Sequence, residues 1–536
     1  MRVLMLVSEA PPIKSGIARV TDKLTEGLRR RNITVDIISA NEVPRWAFKE
    51  FRFSSLGLRW PEIQSRLKEY DIVHVHGSVP TFSDIALLFG KLSSRNGPAL
   101  VYTHHCDIDI AGIDMPVRMY NAIHHRLIRL ADHVVASTPT YALQLEDVSR
   151  PGRTSAVPFG VEAEQFQSRA PKRDPFNVLF VGQLRPYKGV DVLLKAWQHV
   201  DNAVLNIVGD GHERDNLKAL AAELGLTSVV FHGSVTDKQL SDLYSQAHTL
   251  VLPSKRKAEA FGLVLLEGMA AGCVPIASDL PGVSDVVSTS GYTFPVGDFE
   301  ALASLLRDLR DDTEKRQKMS VLATARALAC DWGYTAEAYE GIYRQVHLGR
   351  MLEKGLHRGT DVKSALQGWL GDVSRVADAQ RASLMLLSTD QRELHIAASV
   401  GLGADVVAST RVPVGHRMAG FVAHTGRAML VRRRGMPAIA RLYKNQPDLT
   451  SALLLPLRYN GQVVGVLNLA RGADRVSFTT ADQEWLQRLA QQLSPVLARR
   501  YRYVPAQKPV PAEPEAWNSM VPNLAANAFS QDVALQ

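Results

Sequence analysis

Apolar residues in the first two thirds of the chain fall in short continuous runs. VLMLVS, VDIISA, IVHVHG, ALVYTHH and HVVAST occur up to about residue 138, and NVLFVG, AVLNIVG, SVVFHG, TLVLP and VPIAS follow. Helix-compatible segments separate them. Strands that are apolar throughout are buried on both faces, and strands alternating with helices build parallel sheets covered on each side. The pattern predicts two successive Rossmann-like domains. The polar SRAPKRDP segment, Ser168 to Pro175, is the expected junction, because proline and charge interrupt the apolar rhythm there. Ligands of such sheets bind at the carboxyl ends of the strands, which places a ligand in the cleft between two facing domains.

Past residue 350 the rhythm changes. ASLMLLS and ELHIAASV read as strands, and SALLLPLRYNGQVVGVLNLA reads as a hairpin turning at Asn460-Gly461. Thr480 and Gln483 predict a capping box for a helix whose Trp485, Leu489, Leu493 and Val496 form an apolar stripe. A separate α+β module is expected. The last segment is proline-rich and without period, so residues 501–536 are expected to be disordered.

The 536 residues correspond to three or four domains of roughly 100 to 200 residues. No apolar run approaches the roughly 20 residues that span a bilayer. The opening MRVLMLVSEAPP, broken at Glu9 and the prolines, reads as a buried strand and not as a secretory signal, so a cytoplasmic location is expected. A net charge of +8 points to anionic partners. Zinc-finger spacing and aromatic RNP-type strands are missing, which disfavours nucleic acid. Cys106, Cys273 and Cys330 are scattered, without metal-ligand spacing, and read as buried small hydrophobes.

The most informative stretch is EAFGLVLLEGMAAG, Glu259 to Gly272. Gly262 allows a close turn before a run of helix formers that ends at Gly272, so Glu259 falls on a loop and Glu267 on a helix. A carboxylate accepts hydrogen bonds from two vicinal hydroxyls, so one glutamate can hold a ribose and the other a transferred hexose. Taken alone, two such glutamates are better explained as a surface helix residue and a loop charge.

The segment, with Phe261, Gly262 and Leu263 between the two acids, resembles the donor-binding motif of the retaining glycosyltransferases of family four. The resemblance runs from residue 1 to about 350. EAPPIKSGIARV places Gly16 in the first-strand loop, THHCD (Thr103 to Asp107) places His105 against the transferred sugar, and VPFGVE (Val157 to Glu162) leads into the second domain. VGQLRPYKGVDVLLKAW, Val181 to Trp197, is similar to the family's diphosphate segment. It supplies Gly182 and Lys188, while the usual arginine is Gln183, with Arg185 two positions later. Strand alternation is expected to put Gln183 and Arg185 on one face, letting Arg185 supply the missing charge. IVGDGHERDNL adds Gly209. SDLPGVSDVV, the segment ending at Asp298, and Asp331 to Val346, which resembles the helix crossing back onto the first domain, complete the order.

From about 355 to 498, Arg411 to Val431, the hairpin and FTTADQEWLQRLAQQL resemble a GAF domain. The resemblances imply an α/β protein with the GT-B fold of two facing Rossmann-like domains, followed by an α+β GAF domain. The expected divisions are 1–168 (acceptor domain), 169–330 (donor-binding domain), 331–352 (crossing helix and linker), 353–500 (GAF) and 501–536 (tail). The implied activity is retaining transfer of a hexose from a nucleoside-diphosphate sugar to a glycan or lipid-linked acceptor. The catalytic residues would be His105, Lys188 and Glu259, and donor contacts would come from Gly16, Gly182, Gln183, Arg185, Lys188, Gly209, Glu259, Phe261, Gly262, Leu263 and Glu267. No metal is expected to be required, since Lys188 and helix N-termini can answer the leaving charge. A catalytically weak sugar-nucleotide sensor and a GT-B epimerase are the alternatives.

The basic-aromatic segment Pro44 to Trp60 suggests a peripheral contact with the inner membrane face, with aromatic core packing as the other reading. The GAF ligand is open. His395, His416 and His424 read as structural or exposed, and the module either binds an effector or pairs two chains as a homodimer.

Overall fold

In the computed structural model, β1 (Arg2–Val7) lies in the core and pairs in parallel with β2 (Thr34–Ser39), Arg2 opposite Thr34. A hairpin of β3 (Arg45–Phe48) and β4 (Phe51–Ser54) follows, then β5 (Ile72–Gly77), β6 (Ala99–His104), β7 (His133–Ala136) and β8 (Thr154–Ala156). The first sheet is parallel throughout, in the order β2-β1-β5-β6-β7-β8. The structure describes residues 1–13, 15–43, 45–48, 51–54, 56–93, 97–110, 112–149, 152–166, 172, 174–357, 361–432 and 449–500.

Five helices connect these strands: α1 (Gly16–Arg30), α2 (Leu56–Arg66), α3 (Ser83–Ser93), α4 (Asp114–Ile128) and α5 (Pro139–Glu146). The crossovers through α2 to α5 all step across the sheet in one direction, and α1 steps in the other. Right-handed connections therefore put α2 to α5 on one face and α1 on the opposite face. The helix Trp332–His357 completes the α1 face. Its Tyr339 hydroxyl lies 2.9 Å from Thr103 Oγ1, Tyr343 lies 2.7 Å from His74 Nδ1, and Glu340 pairs with Arg31. These contacts tie the helix to the first sheet and to α1.

The second sheet is also parallel, in the order β11-β10-β9-β12-β13-β14. It comprises β9 (Phe176–Val181), β10 (Ala203–Val208), β11 (Val229–Gly233), β12 (Thr249–Leu252), β13 (Val274–Ser278) and β14 (Tyr292–Phe294). Leu179, Leu250, Leu265 and Met269 fill one side, and Phe180, Leu193, Leu205 and Leu302 the other. The three-residue strands β8 and β14 are too short to stand out as apolar runs.

The chain divides into two compact units, Met1–Tyr343 and Arg344–Gln536. The second holds an antiparallel sheet, order β17-β16-β15-β20-β19-β18, of β15 (Arg381–Leu387), β16 (Glu393–Val400), β17 (Arg411–Pro413), β18 (Met429–Arg432), β19 (Leu449–Tyr459) and β20 (Gln462–Gly472). Asn460 and Gly461 both have positive φ, 50° and 81°, with Tyr459 opposite Gln462, which is the two-residue turn that their side chains favour. The helix Thr480–Arg500 buries Trp485, Leu489 and Leu493. Its cap lies one residue earlier than expected. Asp482 N–H donates to Thr479 Oγ1 (3.1 Å) and Thr479 N–H to Asp482 Oδ2 (3.0 Å), because Asp482 also pairs with Arg471.

Within Pro44 to Trp60, Trp60 is buried 5.6 Å from the Phe89 ring and does not face outward. The side chains of Trp46, Phe48, Phe51 and Phe53 lie outside the described residues, as do residues 501–536. Cys273 and Cys330 are buried free thiols, and Cys106 is partly buried. No described helix is long and apolar enough to cross a membrane.

Candidate active site

Gly262 adopts φ +77° and begins the helix Leu263–Ala270; a Cβ there would stand 2.7 Å from Leu252 Cδ2. The turn leaves Glu259 on the preceding loop, where its carboxylate forms an ion pair with Lys188 and accepts from Ser254 Oγ at 3.4 Å. Both partners are largely buried. Burial opposes the Lys188 charge, but the Glu259 carboxylate outweighs it and holds the ammonium above the ordinary lysine value. Lys188 is therefore a full positive charge at neutral pH.

Glycines let the backbone of this lobe close up around Lys188. Strands β9 and β10 end side by side, and Gly182 N–H donates to Val208 O at 3.0 Å. Gly209, at φ +126°, passes the Gly182 carbonyl so closely that a Cβ would lie 1.9 Å from its oxygen. Gly189, at φ +68°, passes Pro253 O in the same way. These close approaches lie just beyond the carboxyl ends of β9, β10 and β12. Gln183 and Arg185 lie beyond the end of β9, so strand alternation does not apply to them. Their proximity has another cause, a hydrogen bond from Arg185 Nε to Gln183 Oε1 of 2.9 Å. Arg185 nonetheless sits near enough to act electrostatically on Lys188.

The first lobe meets this loop through aromatic rings. His105 follows β6, and its ring centroid is 5.7 Å from that of Phe159, which is 5.0 Å from that of the buried Phe261. Its backbone N–H donates to Gly77 O, and its Nε2 lies 3.0 Å from His76 Nδ1. Burial lowers His105 to about 4, so the imidazole is neutral at pH 7 and is suited to hydrogen bonding a hydroxyl rather than carrying charge. Cys106 beside it is pushed up to about 12, first by burial and then by Asp107, Glu259 and Asp109. That coupling brings the THHCD loop and Glu259 into one electrostatic neighbourhood.

Glu267 departs from the expected open grip. It is buried, its Oε2 accepts from the Tyr244 hydroxyl at 2.6 Å, and its Oε1 pairs with Arg19, which reaches across from α1. Burial lifts Glu267 above the usual carboxylate range, and Arg19 and Tyr244 pull it back only in part. Gly16 is the first residue of α1, with Ser15 capping it through Ala18 N–H at 3.1 Å. A Cβ at Gly16 would meet nothing within 4 Å, so no intramolecular contact demands glycine there. Leu263 is a half-buried part of the second-lobe core.

Sequence reading missed the cross-lobe partners. Arg256 pairs with Asp109 at 3.1 Å, and Asp285 accepts from Thr140 N–H and Oγ1 at 2.9 and 2.8 Å. Arg19 stands one turn after Gly16, but its partner is 248 residues away. Among the described residues, no three His, Cys, Asp or Glu side chains are placed to hold a metal ion.

Two facing parallel α/β lobes with a buried cation, a carboxylate and a neutral histidine at their junction define a GT-B glycosyltransferase architecture. Comparison with known proteins agrees. Residues 14–165 match the model for Glycosyltransferase Family 4, residues 161–326 that for Glycosyl transferases group 1, and residues 359–498 that for the GAF domain. The chain is 32% identical to the D-rhamnosyltransferase WbpZ of Pseudomonas aeruginosa over 271 residues, 48% of this chain and 69% of that protein. It is 29% identical to the O-antigen chain mannosyltransferase C of Escherichia coli over 345 residues, 59% of this chain and 90% of the relative. Sucrose-phosphate synthase from Thermosynechococcus elongatus shares the fold, with a TM-score of 0.54 at 22% identity over 65% of this chain and 99% of that one. The chain belongs to the family-four, group 1 glycosyltransferases and carries a C-terminal GAF domain.

Proposed function

We propose that the chain transfers a hexose from a nucleoside-diphosphate sugar to a glycan or lipid-linked acceptor with retention of configuration, in polysaccharide or glycolipid synthesis. The observation that carries this reading is the buried Lys188–Glu259 pair facing the His105 loop across the lobes. The mannosyl- and rhamnosyltransferase relatives support the substrate class.

In the proposed reaction the acceptor oxygen bonds to the anomeric carbon on the face from which the diphosphate leaves. The bond from that carbon to the phosphate oxygen breaks, and the leaving phosphate keeps the electron pair and takes the acceptor proton. Lys188, with Arg185 beside it, stabilises the charge that grows on the diphosphate, where a preorganised cation lowers the barrier most. Glu259 orients Lys188 and a sugar hydroxyl, neutral His105 faces the hexose, and the ribose reaches Glu267 by taking the place of Arg19 on its Oε1. Gly182 and Gly209 let the diphosphate lie against the backbone. No metal is required in this scheme, so turnover is expected to be unchanged in excess EDTA; complete loss restored by magnesium would overturn that part.

Incubation with a panel of nucleotide sugars, following nucleoside diphosphate release, tests the whole reading. Release from one donor, accelerated by an acceptor extract, is expected. Tight donor binding without release would instead support the second reading, a sugar-nucleotide sensor, which is favoured by Gln183 standing where the family has arginine and by its bond to Arg185. The GAF module is proposed to bind an effector that biases the transferase, with pairing of two chains as its other role.

A further inference from the structure

Helices on the surface of a soluble domain normally turn charge outward. On α3 the only exposed positions are Leu88 and Leu92, one helical turn apart. On α4, Met115, Met119 and Ile123 repeat at the same spacing and are 74%, 59% and 55% exposed. The two helices are neighbours in the layer covering one face of the first sheet, to which Leu58 of α2 and Leu143 of α5 add two more exposed side chains. These seven are among the sixteen large hydrophobic side chains exposed among the described residues, so this one layer holds a disproportionate share.

The polar remainder of the α4 face is basic. Arg118 and Arg126 are exposed along it, Arg129 follows its end, and Asp114 in the first turn is its only exposed acid. Arg118 and Arg126 meet no carboxylate among the described residues. An apolar ridge flanked by arginines matches an anionic bilayer surface, where methionine and isoleucine enter the acyl boundary and guanidinium groups meet headgroup phosphates. A second copy of the chain fits less well, because facing copies would oppose arginine to arginine. The inner part of α4 also braces the sugar-facing loop. Asn121 exchanges hydrogen bonds with the Ile108 backbone at 2.9 and 3.2 Å, and His125 Nε2 lies 2.8 Å from Asp107 Oδ1.

We infer that the α3–α4 face docks the protein on anionic phospholipid, with Met115, Met119 and Ile123 inserted and Arg118 and Arg126 on headgroup phosphates. Docking there sets the first-lobe side of the cleft close to the lipid. This deepens the acceptor side of the transferase reading, and only its link to a lipid-linked acceptor rests on that reading.

The test is co-sedimentation of the full chain with vesicles of phosphatidylcholine alone or mixed with phosphatidylglycerol, at low and high salt. The chain is expected to pellet with the mixed vesicles, less at high salt, and to stay in solution with phosphatidylcholine alone. The double substitution Met119→Glu, Ile123→Glu is expected to weaken binding by roughly tenfold or more, because two large apolar side chains lose their insertion. Both positions are exposed, so the fold and turnover of soluble donor are expected to persist. Equal pelleting of wild type and variant, or no pelleting of wild type, overturns the proposal. So does a wild-type dimer in light scattering that the substitution converts to monomer. Glu259→Gln is expected to bind vesicles like wild type, which separates failure of docking from failure of the transferase reading.

Discussion

Lys188 and Glu259 show what single residues contribute here and how much of it the chain reveals locally. A buried ammonium left without its carboxylate would be costly, so Glu259 holds Lys188 in its charged form, and the lysine keeps a fixed position at the strand ends. Lys188→Ala is expected to lower kcat by about 10² to 10³, the effect of losing one preorganised charge at a leaving group, with a smaller change in KM. Steady-state kinetics of donor turnover check it. Arg185→Ala is expected to cost about tenfold or more in kcat with the fold intact, since among the described residues the Arg185 side chain hydrogen bonds only to exposed Gln183; near-normal turnover would show that the missing arginine is not replaced from this position. Glu259 and Glu267 could be singled out because their spacing around Gly262 is local. What Glu267 touches could not, because Tyr244 and Arg19 come from other elements.

At the level of elements, the continuous apolar runs located the central strands of both parallel sheets to within a residue or two, because a strand buried on both faces has no polar alternation to hide it. They missed β8 and β14, three residues each at the sheet edges, and they misplaced Gln183 and Arg185 by extending β9 past Val181. The same strands carry a pH liability. Burial depresses His74 and His104 to about 3 and His105 to about 4, on β5, β6 and the loop after β6. Above pH 6.5 these rings are neutral folded or unfolded, so stability there does not depend on them. As pH falls below 6.5 the unfolded chain takes up protons that the folded one refuses, and each ring costs up to about 1.4 kcal/mol per pH unit until its folded value is reached. The thermal midpoint of the first unit is expected to fall steeply between pH 6.5 and 5, above the range in which ordinary carboxylates titrate. A flat midpoint over that window would show that the rings are solvated.

For the whole molecule, the change from continuous apolar runs to a hairpin pattern near residue 350 separated transferase from GAF module, but the helix Trp332–His357 obeys neither rhythm. Tyr339 and Tyr343 hydrogen bond to side chains of the first sheet. Leu348 and Leu352 belong to the core of the second unit, and Trp369 Nε1 donates to Leu348 O at 3.1 Å. A cut at residue 354 therefore strips the cover from two leucines while leaving every described contact of Lys188, Glu259, Glu267 and His105 in place. Removal of residues 355 to 536 is expected to preserve donor-dependent turnover within a few-fold, at the expense of solubility, and replacing Leu348 and Leu352 with glutamine in the shortened chain is expected to restore solubility. Turnover measured alongside light scattering then separates the two roles of the module. If the GAF domain pairs chains, the full chain is a dimer and the shortened one a monomer of similar rate. If it carries an effector, the two chains share an oligomeric state, and only the full chain changes its rate when cell extract metabolites are added.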